Sequence, residues 1–364
     1  MQIKEVLAHL EHRFPLSWQE DFDNCGVQVG DKEQEITGAL VCFELRESVI
    51  DEAIRRGANL VISHHPLLFQ GLKKIEPVNR TGRIICKALA HNILIYSMHT
   101  NMDSAIGGGN DAFAEKLQLR EVSVLAPHEG NFRKLAFYVP AQDVTRVCDA
   151  MFAAGCGHIG NYDRCMFTVP GEGSFRPLAG SNPYLGHLNQ VEMVDEIRVE
   201  MIFPANIQKR VVSALYAAHP YEEPAFDIYR IENEEHHVGL GRIGLLPEPM
   251  MPTQFFEYLK QRLQIEHLRY SGNMEKMIKK VAVCGGSGGS LIRHAMAAHA
   301  DAYVTGDIKY HDFFIPDNQM LIADVGHFEG EHFIKEIIYN ELKKNFSNFA
   351  ISIIEDEVSE VNFI

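Results

Sequence analysis

The stretch "NLVISHHP", residues 59–66, decides how the first part of this chain can fold. Its apolar run is typical of a strand buried on both faces, and Pro66 lacks the backbone donor that a continued ladder would need. Side chains on a strand alternate between its two faces, but the alternation lapses where the strand ends. His64 and His65 can therefore face one cavity, and the stretch predicts a functional site at the carboxyl end of a buried strand.

The segments around this stretch alternate between apolar runs and amphipathic helical patterns. In the first third, the runs "EITGALVCFEL", "NLVISHHP" and "ILIYSMHTNMD" are separated by the helical patterns "ESVIDEAIRRGA" and "TGRIICKALAHN". The last third repeats this order with "KKVAVCGGSGG", "SLIRHAMAAHA", "DAYVTGD", "QMLIADVGH" and "EGEHFIKEIIYNELKKNF". Strands joined by helices in this way favour a layered α/β domain with a largely parallel sheet.

The middle of the chain follows a different order. From "RKLAFYVP" to "AFDIYRI" the patterns predict strand, helix, strand, strand, helix and strand, which is a complete ferredoxin-like α+β unit. A self-contained unit can be inserted into a surface loop because its ends can lie close together. We therefore predict a discontinuous core domain of residues 1–127 and 236–364, interrupted by an inserted domain of residues 128–235.

Composition excludes some classes of partner. The 364 residues include 49 acidic and 34 basic side chains, and a net charge of −15 disfavours binding to nucleic acid. No apolar run approaches the roughly 20 residues that a membrane span needs, and the N-terminal "MQIKEVLAHLEHRF" lacks the features of a secretory signal. Seven cysteines without a CxxC pair favour reduced thiols, so we expect a cytoplasmic protein.

Two further strand ends carry the same chemistry as the histidine pair. The run "ILIYSMHTNMD" contains His99 and, four residues later, Asp103. In "DVGHFEGE", His327 and Glu331 are four residues apart where we expect a helix to begin, and this spacing places both side chains on one helical face. The three strand ends thus offer three imidazoles and two carboxylates as metal ligands: His64, His65, Asp103, His327 and Glu331.

Five such ligands exceed the needs of one metal ion. A zinc-like ion takes three or four protein ligands, and carboxylates can bridge, so the set predicts two divalent ions per chain with a shared water or hydroxide. Nitrogen and oxygen ligands without thiolate suit Zn, which we expect first, and also Fe, Mn or Co.

Five motifs occur in the order "ANLVISHHPLLF", "YSMHTNMDSAIGGGND", "VAVCGGSGGSLI", "AYVTGDIKYHDF" and "DVGHFEGE". Over residues 1–125 and 278–364 the chain thereby resembles the GTP cyclohydrolase type-2-homologue family, also called the Ngg-interacting-factor-three-like proteins. In that family the HH pair, the Asp of an HTxxD motif, and the His and Glu of a GHxxxE motif bind two metal ions. The matching positions here are His64, His65, Asp103, His327 and Glu331.

The resemblance also implies an assembly and a type of insert. The middle third looks like the extra domain, similar to the PII and CutA folds, of the longer bacterial members. The family further implies a toroidal homohexamer, a trimer of dimers, with the metal sites facing an inner cavity. One departure is "CFEL" at residues 42–45, near which many relatives carry an aspartate.

Two other motifs leave alternatives open. The segment "TGDIKYH" supplies Thr305, Asp307, Lys309 and His311, which either orient ligands and steer an anionic substrate or form a helix-capping turn. The segment "CGGSGGS" resembles a phosphate-binding loop, but no Lys follows it, so a tight strand-to-helix turn is the other interpretation. His99 and Lys309 are candidates for moving a proton or binding an anion.

Two functions are consistent with these patterns. The first is a metal-dependent hydrolase acting on a small molecule, a nucleotide or phosphoester as the family name suggests, with GTP cyclohydrolase-like activity as one form. The second is a non-catalytic metal-dependent binding or regulatory protein, or a metal carrier, in which the insert senses an effector. An open coordination position would favour the enzyme, whereas saturation by protein ligands would favour the second function.

Overall fold

The computed structural model describes residues 1–128, 132–233 and 235–362. The chain divides into two compact units, one of Met1–His128 with His236–Ile364 and one of Glu129–Glu235. Within the residues described, no helix combines the length and the apolar character that crossing a membrane requires.

The described residues form fifteen strands and ten α-helices. The strands are β1 (Gly26–Val29), β2 (Gly38–Cys42), β3 (Leu60–Ser63), β4 (Leu94–Ser97), β5 (Arg120–His128), β6 (Phe132–Pro140), β7 (Phe167–Phe175), β8 (Glu192–Pro204), β9 (Phe226–Arg230), β10 (Glu235–Met250), β11 (Arg269–Ser271), β12 (Ile278–Ser287), β13 (Ala302–Gly306), β14 (Leu321–Asp324) and β15 (Ala350–Ile353). The helices are α1 (Ile3–Arg13), α2 (Glu47–Arg56), α3 (Arg80–Ala90), α4 (Thr100–Ser104), α5 (Gly109–Lys116), α6 (Val144–Ala153), α7 (Gln208–Ala218), α8 (Pro252–Leu263), α9 (Ile292–Ala297) and α10 (Ile334–Asn345).

The first sheet of the larger unit has the strand order β1-β4-β3-β2-β15. Its strands are parallel except for β1, which runs antiparallel to β4. Every residue of β2, β3 and β4 is buried, as their continuous apolar sequences predict. Helices α2 and α3 pack on one face, and α1 and α10 pack on the other, so helices cover both faces.

The second sheet of this unit corrects the expectation of a largely parallel core. Its order is β11-β14-β13-β12-β10-β5, and β12, β13 and β14 are parallel to one another. Strands β10 and β11 pair antiparallel with β12 and β14. The sequence patterns assign no strand to β10, because glycines and prolines interrupt its sequence "EHHVGLGRIGLLPEPM". In the structure, the burial of its residues does not alternate along the strand.

The smaller unit has the element order β6-α6-β7-β8-α7-β9. Its strands form an antiparallel sheet in the order β7-β8-β6-β9. Helices α6 and α7 cover one face of this sheet, where Phe137, Val199 and Met201 are buried against Met151 and Leu215. The order of strands and helices is the one that the sequence patterns predict for this segment.

Candidate metal centre

The ends of three strands in the larger unit meet around one cluster of polar side chains. His64 and His65 directly follow β3, and Asp103 lies in α4, a short helix after β4. His327 and Glu331 lie in the turns after β14. All five predicted ligands are therefore brought together, although they come from two different sheets.

Glu331 lies at the centre of the cluster and has one oxygen toward each side of it. Its Oε1 is 3.3 Å from His64 Nε2, and its Oε2 is 3.0 Å from His327 Nε2 and 3.4 Å from His65 Nε2. Asp103 Oδ2 is 3.9 Å from His64 Nε2. These contacts define two groups of residues that could each hold a metal ion: His65, His327 and Glu331 in one, and His64, Asp103 and Glu331 in the other. In each group the ligand atoms lie within 4.8 Å of one another.

The turn that carries His327 and Glu331 differs from the expected helix. Helix α10 begins only at Ile334, and residues 327–333 form consecutive turns. Gly326 has a φ of +94°, a left-handed conformation that the start of a regular helix does not accommodate. The four-residue spacing still brings the two side chains together, because Gly330 and His332 donate backbone hydrogen bonds four residues back, as in a helix.

The outer nitrogen of each ligand histidine is fixed by an oxygen. His64 Nδ1 lies 2.8 Å from the Met98 carbonyl oxygen, to which it donates. His65 Nδ1 is 2.7 Å from Glu44 Oε2, and His327 Nδ1 is 2.7 Å from Asp307 Oδ2. An N–H at Nδ1 leaves Nε2 as the coordinating atom, and such outer partners set the orientation and basicity of metal-binding histidines.

The cluster contains buried polar atoms that need a partner. His64 is fully buried, and the side chain of Glu331 is 4% exposed. Neither His64 Nε2 nor Glu331 Oε2 makes a hydrogen bond within the described part of the chain. Buried atoms of this kind carry a desolvation cost, and a cation between them would compensate for it. The donor set and its unpaired atoms therefore fit divalent metal ions.

Electrostatics make the cluster attractive to positive charge. Burial lowers the pKa of His64 to about 4, which keeps its ring neutral and its Nε2 available. Burial also lowers the pKa of His65, but the nearby carboxylates of Glu331 and Glu44 outweigh it and raise the pKa to about 10. Burial and the neighbouring Glu331 raise the pKa of Asp103. Because the carboxylates hold protons on nearby imidazoles, a cation that binds there would release these protons, and its affinity would depend on pH.

The motif "CGGSGGS" supports Glu331 through close packing. Gly286 has a φ of +61°, and a Cβ at this position would lie 2.6 Å from Glu331 Oε1. The Gly285 N–H donates to Asn110 Oδ1 at 2.9 Å, and the Asn110 amide donates to the Asp103 carbonyl oxygen at 3.0 Å. The segment ends β12 and leads through a short turn to α9, which supports the turn interpretation over a phosphate loop.

The two further candidates differ in their distance from the cluster. The His99 ring lies 5.1 Å from the His64 ring and 5.3 Å from the His65 ring, between centroids, and with them forms a third group that could hold a metal ion. Its Nδ1 is 2.9 Å from Asp23 Oδ1. Lys309 is exposed in the segment after β13, two residues beyond the Asp307 that contacts His327.

Sequence reasoning missed two carboxylates beside the histidines. Glu44 belongs to "CFEL", the departure noted above, yet it contacts His65 Nδ1 directly. Asp23 lies before β1, far in sequence from the strand ends that carry the histidines. Burial alone would raise the pKa of Asp23, but hydrogen bonds from His99 and Thr100 outweigh burial and lower it. An acidic residue directly after a buried strand was the available signal for Glu44, whereas Asp23 lies in a loop segment with no such signal.

Comparison with known proteins agrees with these motifs. The family model described as Duf34/NIF3 (NGG1p interacting factor 3) matches residues 1–360. The protein of Bacillus subtilis named GTP cyclohydrolase 1 type 2 homolog is 40% identical over 360 residues, which cover 97% of this chain and 96% of that protein.

Solved structures resemble the whole chain. A Bacillus cereus protein related to NIF3 has a TM-score of 0.82 and 36% identity, covering 100% of this chain and 99% of that one. Staphylococcus aureus protein SA1388 has a TM-score of 0.77 and 28% identity over the same shares. The chain therefore belongs to the Duf34/NIF3 family.

Proposed function

We propose that this protein binds two divalent metal ions and uses them to hydrolyse a small molecule, a nucleotide or another phosphoester. The observation that carries the proposal is the position of Glu331, whose two oxygens face two different sets of ligands. GTP cyclohydrolase-like activity, suggested by the names of the relatives, is one form of the proposed chemistry.

The proposed ligands for the two ions are divided by the geometry. His65, His327 and Glu331 would hold one ion, and His64, Asp103 and Glu331 would hold the other, with zinc as the first expectation and Fe, Mn or Co as alternatives. Bound divalent ions of this type lower the pKa of a water molecule toward neutrality and polarise a substrate oxygen. Three protein donors per ion leave coordination positions for water and substrate, which favours an enzyme over a storage site.

The surrounding residues of the chain have proposed roles of their own. Met98, Glu44 and Asp307 fix the tautomers of the three ligand histidines, so that each Nε2 keeps its lone pair. His99 lies beside the ligands and would move a proton between water and substrate, with Asp23 holding its ring. Lys309, exposed near Asp307, would attract an anionic substrate to this edge.

The organisation around the site is also a proposal. We assign residues 1–127 and 236–364 to the metal-binding core and residues 128–235 to an inserted ferredoxin-like domain of the PII/CutA kind, supported by its strand order. The assembly proposed from the resemblance is a toroidal homohexamer. Seven cysteines without a CxxC pair support a reducing, cytoplasmic location, and the net charge supports a partner other than nucleic acid.

Metal content and turnover together test the proposal. Elemental analysis of the purified protein, reloaded with zinc, should give two ions per chain, and a Glu331→Gln variant should hold less. Glu336→Gln is the matched control, because Glu336 is exposed in α10 and lies outside the metal-binding groups. Equal zinc content in the Glu331→Gln variant and the wild type would contradict the ligand assignment.

Turnover separates the two functions considered from the sequence. The wild type loaded with Zn, Mn, Co or Fe should hydrolyse at least one member of a panel of nucleotides and phosphoesters. Two bound ions without any turnover would instead support a metal carrier or regulatory protein. The cavity of the smaller unit, described next, is the observation that gives this second function weight.

A further inference from the structure

A separate cavity lies entirely within the smaller unit, on the face of its sheet opposite α6 and α7. Leu135 and Phe137 of β6 are buried toward the helices, whereas Tyr138 follows the strand alternation to the other face. Tyr138 pairs with Arg198 across β6 and β8, and both residues line the cavity. Its volume is about 550 Å³, which is within the range of small-molecule sites.

Gly171 of β7 opens the floor of this cavity. Gly171 pairs with Glu196 of β8, and no atom lies within 4 Å of the place where a Cβ of Gly171 would be. Glycine in the interior of a strand weakens the strand and often marks the close approach of a ligand. The space above Gly171 is therefore room that the fold leaves open beside the Glu196 carboxylate.

Aromatic rings form one side of the cavity. The Tyr221 ring centroid is 6.1 Å from that of Phe175 and 6.1 Å from that of Tyr184. The Tyr221 backbone is fixed, because its N–H donates to His219 Nδ1 at 3.1 Å while His219 Nε2 donates to the Tyr138 carbonyl oxygen at 2.9 Å. A rigid cluster of rings offers a stacking surface for a planar ligand.

Hydrogen-bond donors and an acceptor lie together in the wall of the same cavity. Arg198 Nε is buried and makes no hydrogen bond with any described residue, and the buried Tyr221 Oη faces the Glu196 carboxylate. Burial and the nearby Glu196 raise the pKa of Tyr221, so the hydroxyl keeps its proton and can donate. A ligand that meets these groups needs an acceptor for Tyr221 or Arg198 and a donor for Glu196.

We propose that this cavity binds a planar heteroaromatic molecule of nucleobase size, which stacks on the Tyr221 cluster and presents both acceptors and donors to the sheet. Nucleobases carry ring faces for stacking and an edge that combines N–H donors with carbonyl or ring-nitrogen acceptors. The proposal concerns a site formed only by residues of the smaller unit, so it does not depend on the proposed chemistry of the metal centre.

Calorimetric titration of the full-length protein tests this assignment. The probes are adenosine, guanosine, cytidine and uridine, with indole as a planar ring that offers no acceptor nitrogen or oxygen. At least one nucleoside should bind, and indole should bind at least about tenfold more weakly, a difference of about 1.4 kcal/mol, which one or two hydrogen bonds supply.

Two variants and one control locate the binding. Gly171→Leu should abolish binding by filling the floor, and Tyr221→Phe should weaken it about three- to tenfold by removing one donor. Tyr216→Phe is the matched control, because Tyr216 is an exposed residue of α7 that does not line the cavity. Circular dichroism confirms that each variant is folded.

Three results would overturn the proposal. The first is the absence of heat with all four nucleosides at millimolar concentration. The second is equal affinity for the wild type, the Gly171→Leu variant and the Tyr221→Phe variant. The third is a change in oligomer mass caused by Gly171→Leu while no nucleoside binds the wild type, which would assign the cavity to contacts between copies of the chain.

Discussion

Replacement of Glu357 by Gln should destabilise the larger unit through a buried ion pair near the candidate metal centre. Glu357 accepts hydrogen bonds from the backbone N–H groups of Phe43 and Glu44 at 2.9–3.0 Å, and its Oε2 is 2.9 Å from Lys335 Nζ. The side chains of Lys335 and Glu357 are only 6% and 4% exposed. The C-terminal segment thus holds the end of β2, where Glu44 contacts His65.

The magnitude follows from the environment of Lys335. Breaking a buried ion pair by removing one charge costs about 3–5 kcal/mol, because the other charge stays buried. Lys335 Nζ also donates to the Ile354 carbonyl oxygen at 2.6 Å, so we expect the lower end, about 3 kcal/mol. For a unit of this size, 1 kcal/mol shifts the melting temperature by about 2–4 °C, which gives a decrease of about 6–12 °C.

Thermal unfolding of the metal-free protein, followed by circular dichroism, measures this decrease without a contribution from bound ions. Glu360→Gln is the matched control, because Glu360 lies in the same segment and pairs with Arg46 through a side chain that is 79% exposed. That pair should contribute less than about 1 kcal/mol. If both variants melt within about 1 °C of the wild type, the Glu357 interaction does not stabilise the unit and the reasoning is wrong.

Three further outcomes are expected. Glu44→Gln should weaken zinc binding about 10–100-fold by removing the carboxylate on His65 Nδ1, and zinc titration against a competing chelator would measure it; unchanged affinity would exclude that role. Deletion of residues 128–235 with a short linker should leave a folded core that retains its zinc, and an insoluble or metal-free product would contradict the proposed division. Burial lowers the pKa of His219, so below about pH 6.5 the unfolded state takes up a proton first, and the stability of the smaller unit should fall as pH decreases. A His219→Gln variant should show a shallower decrease between pH 7 and 5 in urea unfolding, and an identical slope would count against this cause.

The strands that end at the candidate metal centre could be predicted because continuous apolar runs of this length are typical of buried strands. The runs in β3 and β4 are entirely buried, and a chain that crosses a covered sheet in this way places its next polar residues at the sheet edge. His64 and Asp103 are both found there. The sequence predicts that His327 and Glu331 lie together on one face of a helix. In the structure they do lie together, but in a series of turns that contains Gly330 and precedes α10.

The rest depended on contacts that the sequence does not mark. Strand β10 carries Gly239, Gly241 and Gly244, and these glycines make its sequence resemble that of a loop. In the structure, Gly239 and Gly244 lie against the backbone of β5, and Gly241 lies against the backbone of β12. The carboxylates Glu44 and Asp23 act on histidines 21 and 76 residues away, and no local spacing relates them. Such pairings depend on tertiary packing, which periodicity does not encode.

The order of the ligands along the chain has a consequence for biosynthesis. Both groups that share Glu331 combine a histidine of the first third of the sequence with residues of the last third. A nascent polypeptide emerging from the ribosome has already exposed the segment between them before Glu331 is available. Binding of the two proposed ions would therefore have to wait until the segment that carries Glu331 has been synthesised, so that only a chain with both parts of the core could hold them.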